Sequence, residues 1–164
     1  MGEGEVRVVD MHVRAKSPAD QAWIEALLTE RWRSTEVVFG DATLAADRLP
    51  AWIAGKREGL ATYHLAQRAE LVTLDAVVPG RGVGTALVQA LADHLRAAGW
   101  SALHVSTTND NLDALRFYQR RGFCITAIHP GAIDQARRLK PVIAEIGRYG
   151  IPIRDEIELV LQLK

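Results

Sequence analysis

A single cysteine, Cys124, stands in 164 residues. An internal disulfide is therefore impossible, and the expected setting is a reducing compartment, with the cytoplasm as the default address. No apolar run approaches membrane-spanning length, so no transmembrane helix is expected. The opening Met1-Gly2-Glu3-Gly4-Glu5 is acidic and polar, unlike a secretory leader, and position 6 lacks the Ser or Thr of a myristoylation signal. Neither sign of charge is in excess: 20 Lys and Arg face 20 Asp and Glu, so no global field draws the chain onto nucleic acid or a membrane. His12, His64, His94, His104 and His129 show no metal-ligand spacing, and no metal is expected. Internal repeats and low-complexity tracts are also missing. Residues 1–164 are expected to form one domain around one core.

Glycine, by contrast, is concentrated where it counts. Leu71 to Val88 reads as an apolar strand, then a loop with Gly80, Gly82 and Gly84 at alternate positions, then the first turn of a helix. Such a junction aims backbone N–H groups at one point, where the helix dipole adds positive charge, so the expected guest is an anion, a phosphate above all. A P-loop would need a lysine after the last glycine, and the dinucleotide fingerprint would need Gly-x-Gly-x-x-Gly. Neither pattern is present.

In chain order, Asp10–Arg14 reads as a short strand. Ser17-Pro18-Ala19-Asp20 is a helix start with a capping-box-like pair, and Trp23, Ile24, Leu27 and Leu28 form the buried stripe, which Trp32 either extends into the core or leaves to line a pocket. Thr35–Phe39 is β-rich and stops at Gly40-Asp41. Residues 44–53 carry a weak helical pattern broken by Pro50. Gly59–Leu65 and Glu70–Val78 read as an antiparallel hairpin. Val83, Leu87, Leu91, Leu95 and Ala98 share one face of a long helix that Gly99 ends. Ser101–Thr107 is a strand with Leu103 and Val105 on one face and His104 and Ser106 on the other. Leu112–Arg121 is helical and capped by Gly122, and Phe123–Ile128 returns to the sheet, giving a partly parallel β-α-β-α-β middle. Ala132–Leu139 is a short helix stopped before Pro141. The last strand alternates Ile157, Leu159, Leu161 and Leu163 with Glu158, Val160 and Gln162, a half-buried pattern. Left at an edge, that strand is the natural place for a second copy of the chain to pair as a homodimer.

A second signal follows the strand after the glycine loop. Asn111-x-x-Ala114-x-x-Phe117-Tyr118-x-x-x-Gly122-Phe123, after a glycine loop that opens a helix, resembles the GNAT N-acetyltransferase family. The resemblance covers about Glu70 to Ile128. It implies an α/β (α+β) fold, a mixed and mainly antiparallel sheet flanked by helices, and acetyl-CoA as acyl donor. By the same resemblance Arg81, Gly82, Val83, Gly84 and Thr85 cradle the pyrophosphate, and Leu74 and Ala76 offer strand backbone to the pantetheine arm. Asn111 hydrogen-bonds the cofactor, or caps the helix that follows it. One position departs from the pattern: where the family usually carries Gln or Arg, this chain has Pro79, and Arg81 is the candidate replacement.

Acetyl transfer from a thioester to an amine needs an uncharged amine, a stabilised oxyanion and a proton for the leaving thiolate. Tyr118 matches the family's general acid, and a phenol keeps its proton at neutral pH. For the base, Glu70 precedes the loop on the alternating face of Val72 and Leu74. Asp75 lies nearer the loop on the opposite face, unless a bulge re-aims it. The acceptor is expected to be a primary amine of a small molecule or peptide, and Trp32, Ser34, Asp155 and Glu156 are candidates to meet it. Arg137, Arg138 and Lys140 read as a solvated helix face, and Cys124 as a buried packing thiol. The competing function is a non-catalytic acyl-CoA sensor on the same fold.

Overall fold

The computed structural model describes residues 11–164. Asp10 and the Met1–Glu5 opening lie outside the described residues. The elements are β1 (Val13–Ala15), α1 (Gln21–Trp32), β2 (Glu36–Phe39), β3 (Ala42–Ala45), β4 (Ala51–Ala54), β5 (Gly59–Leu65), β6 (Ala69–Ala76), α2 (Val83–Ala97), β7 (Ala102–Thr108), α3 (Leu112–Arg120), β8 (Cys124–His129), α4 (Ala132–Leu139) and β9 (Glu156–Gln162). Seven of the strands form one sheet in the order β1-β4-β5-β6-β7-β9-β8, with β2 and β3 as a separate hairpin. Among the described strands only β6 and β7 run parallel, because α2 carries the chain from one to the other. The sheet is therefore mixed and mainly antiparallel.

Side-chain alternation divides the core. On one face α2 buries Val83, Leu87, Leu91 and Leu95 against Leu71, Leu103, Val105 and Leu159. On the other, α1 buries Ile24, Leu27 and Leu28 against Ile53 and Leu60. Each such side chain contributes about 1.5–3 kcal/mol on burial. Gly59 sets how closely α2 sits on the sheet: a Cβ there would lie 2.3 Å from Val83 Cγ1 and 2.9 Å from the Asp75 carbonyl. The α1 start is fixed by Asp20, whose buried carboxylate accepts from Ser17 N, Ser17 Oγ, Arg14 and Arg57.

Three expectations need correction, and the ambiguous stretch at residues 44–53 resolves. The final strand is no edge: β9 pairs with β7 on one side and β8 on the other, so among the described residues the edges are β1 and β8. Cys124 is exposed rather than buried, on β8 at the end of the sheet order. Residues 44–53 are not helical beyond a single turn; β3 and β4 flank Pro50, whose missing N–H suits a junction better than a helix. Arg137 and Lys140 are not a solvated face. Arg137 donates to the carbonyls of Ile143, Ala144 and Ile153, and Lys140 donates to those of Trp32 and Glu36, so both tie loops together.

Candidate functional site

The two parallel strands are paired only from Ala69–Leu71 against Leu103–Val105. Beyond that, β6 continues to Ala76 bonded to β5 alone, and β7 continues to Thr108 bonded to β9 alone. Their facing edges therefore carry backbone groups free to pair with an extended ligand. A cleft of about 330 Å³ opens at this end of the sheet, lined by Leu74 and Ala76 of β6, Gly80 and Gly82 to Thr85, and Asn111, Ala114, Phe117 and Tyr118 around α3.

A bulge decides which β6 side chains face the cleft. The β5–β6 register runs Thr62↔Thr73 and then Tyr63↔Leu71, leaving Val72 as the extra residue. Alternation resets there. Leu71 and Leu74 both pack on the α2 side, whereas Val72 packs on the α1 side and Asp75 bonds Trp32 of α1. Glu70 is thus not on the face of Leu74, as simple alternation expects. The bulge puts Asp75 on the same side of the sheet as Glu70.

At the loop, Gly80 and Gly82 hold φ of +82° and +75°, a region that disfavours side chains, and nothing lies within 4 Å of a Cβ built on either. Both glycines therefore leave the backbone open to close approach. Gly84 serves packing instead: its Cβ would fall 3.0 Å from Phe117 Cζ, so its absence lets α3 lie against the first turn of α2. An apolar channel leading to an open backbone cradle at a helix N-terminus fits a long acyl carrier with a phosphate end. The Arg81 side chain is exposed and outside the cleft lining.

Tyr118 is 7% exposed, packed edge-on between Phe117 and Phe123 while lining the cleft. Burial, and then the charge of Asp75, push its phenol well above the ordinary value, so it stays protonated. Burial also raises the Asp75 carboxyl, against the opposing Trp32 hydrogen bond and the Arg31 charge. Asn111 does cap α3, its Oδ1 accepting from Ala114 N at 3.2 Å, and it lines the cleft as well. Glu70 is buried and bonded to Arg68, which also bonds Glu158.

The acetyltransferase (GNAT) family matches residues 24–123. The chain belongs to that family. The uncharacterized protein YdhI of Bacillus subtilis is 36% identical over 133 residues, spanning 78% of this chain and 83% of that protein. Among solved structures, the IAA acetyltransferase from Bacillus cereus superposes with a TM-score of 0.67 at 21% identity, over 93% of this chain and 99% of that one. A GNAT family acetyltransferase from Elizabethkingia anophelis with acetyl-CoA bound gives 0.66 at 15% identity, over 94% and 99%.

Set in this GNAT frame, Leu74, Ala76, Gly82, Val83, Gly84, Thr85, Asn111 and Tyr118 converge on one cleft, as the motifs imply. Trp32 does not simply extend the α1 stripe; it is 37% exposed and holds Asp75. Ser34 accepts from Glu36 N within its own turn, and Asp155 accepts from Gly131 N at the start of α4. Burial raises the Glu156 carboxyl above its ordinary value.

Sequence reading passed over Arg121 and Arg148, both in the cleft wall. Arg148 arrives on the segment between α4 and β9. Asn109 Oδ1 accepts from Arg154 N and Asp155 N at 2.9 Å, and buried Asp110 accepts from Arg148 N at 2.9 Å. Gly147 permits that docking, since its Cβ would lie 2.1 Å from Asp110 Oδ2. The run Asn109-Asp110 between a strand and an asparagine cap was the available signal.

Proposed function

We propose that this protein is an N-acetyltransferase that moves an acetyl group from acetyl-CoA to a primary amine of a small molecule or peptide. The observation that carries it is the cleft where β6 and β7 part, bounded by the glycine cradle at one end and by Tyr118 within. Acetyl-CoA supplies an acyl group activated as a thioester. The open β6 edge at Leu74 and Ala76, with Asn111 across the cleft, orients the pantetheine arm. The backbone of Arg81, Gly82, Val83, Gly84 and Thr85 holds the pyrophosphate at the α2 N-terminus. Tyr118 keeps its proton at neutral pH and hands it to the departing thiolate.

For the base, the geometry favours Asp75 over Glu70. Glu70 is committed to Arg68, while Asp75 sits beyond the last β6–β7 pair, bonded to Trp32, and its charge acts on the Tyr118 phenol. The test is an amine panel with acetyl-CoA, following free thiol. Thiol release that depends on one acceptor class supports the reading; ligand binding without release from any amine favours an acyl-CoA sensor.

A further inference from the structure

We infer that Arg121, and not a residue of the glycine loop, is the side-chain cation that holds the cofactor pyrophosphate; this rests on the reading of the cleft as an acetyl-CoA site. The loop itself offers only Arg81, whose side chain is exposed and outside the cleft lining. Pro79 contributes neither a charged side chain nor an N–H. Arg121 lies just past the C-terminus of α3, yet its guanidinium reaches the first turn of α2. Its Nε and Nη2 donate to Thr85 Oγ1 at 2.9 and 2.6 Å, and Nη1 donates to the Phe117 carbonyl at 2.9 Å. The guanidinium also lies 3.6 Å from the centre of the Phe117 ring.

Three consequences follow from that placement. The cation is held in one geometry before any ligand arrives, so little side-chain entropy is lost on binding. It stands beside the backbone N–H groups of the α2 N-terminus, adding a full charge to their partial ones. Burial lowers its pKa, the mark of a charge stripped of part of its water, yet a guanidinium remains protonated at any working pH. Thr85 and Phe117 act as its positioning residues.

The experiment is calorimetric titration of CoA, dephospho-CoA and pantetheine into wild type, Arg121→Gln, Arg121→Lys and Arg120→Gln. Arg120 is the control: a neighbouring exposed cation outside the cleft lining. A lost charge-assisted bond to phosphate weakens binding by roughly tenfold or more. That loss is expected for Arg121→Gln with both CoA and dephospho-CoA, but not with pantetheine, which has no phosphate. Arg121→Lys should recover part of it and Arg120→Gln should show none. An equal loss with pantetheine would mean a purely structural role, and a loss confined to CoA would move the contact to the 3′-phosphate; either overturns the inference. So does Arg121→Gln binding CoA as wild type does. Wild-type protein that binds no CoA overturns the functional reading itself.

Discussion

The Trp32 indole donates from Nε1 to Asp75 Oδ2 at 2.9 Å, tying the last turn of α1 to the end of β6 where that strand has left β7. This bond favours the ionised carboxylate and works against the burial that raises its pKa. Removing it in Trp32→Phe leaves burial unopposed on that side, so the Asp75 pKa rises further. If Asp75 receives the amine proton, the acidic limb of kcat/KM lies above the ordinary carboxylate value of 3.8 and moves to higher pH in Trp32→Phe. A pH–rate profile checks this; an unmoved limb would assign the base elsewhere.

Tyr118→Phe removes one hydroxyl from a buried ring that keeps its aromatic neighbours Phe117 and Phe123. General acid catalysis contributes on the order of 100-fold or more, so kcat should fall by about that factor. Affinity for acetyl-CoA, measured by titration, should stay within about twofold, because the channel keeps its shape. Equal turnover in the variant would remove Tyr118 from the chemistry.

Gly59 lies on β5, yet it governs the cradle. A Cβ at 2.3 Å from Val83 Cγ1 cannot be accommodated without moving the first turn of α2. Gly59→Ala should cost about 1–3 kcal/mol in chemical denaturation, as overpacking does, and weaken acetyl-CoA binding as well. Loss of stability with unchanged binding would show that the cradle tolerates the displacement.

The parts of this protein that read from sequence are those set by neighbours in the chain. The α2 stripe, the faces of Leu103 and His104, the alternation into Leu163 and the αL glycines at Gly99 and Gly122 all depend on residues within a few positions. The convergence of the glycine loop with Asn111 and Tyr118 was legible for a related reason, since a crossover helix must return beside its first strand. What did not read was set across the sheet. The extra residue at Val72 is invisible until β5 is laid beside β6, and it moves Asp75 to the side of Glu70. The insertion of β9 between β7 and β8 pairs residues no closer in sequence than His129 and Glu156, and Cys124 on β8 is exposed. The hold of Arg121 on Thr85 spans 36 residues and has no local pattern to announce it.

Acetyl-CoA is expected to bind in the cleft bounded by Gly82 and Tyr118. Thermal unfolding with and without saturating acetyl-CoA tests it most directly, in wild type and in Gly82→Val, which places a branched side chain at a φ of +75° on the cradle. At about 100 times Kd a ligand stabilises by about 2.7 kcal/mol, or roughly 5–10 °C for a domain of this size. The wild type is expected to show that rise and Gly82→Val to lose it. An absent shift in wild type, or an equal shift in both proteins, would place acetyl-CoA outside this cleft.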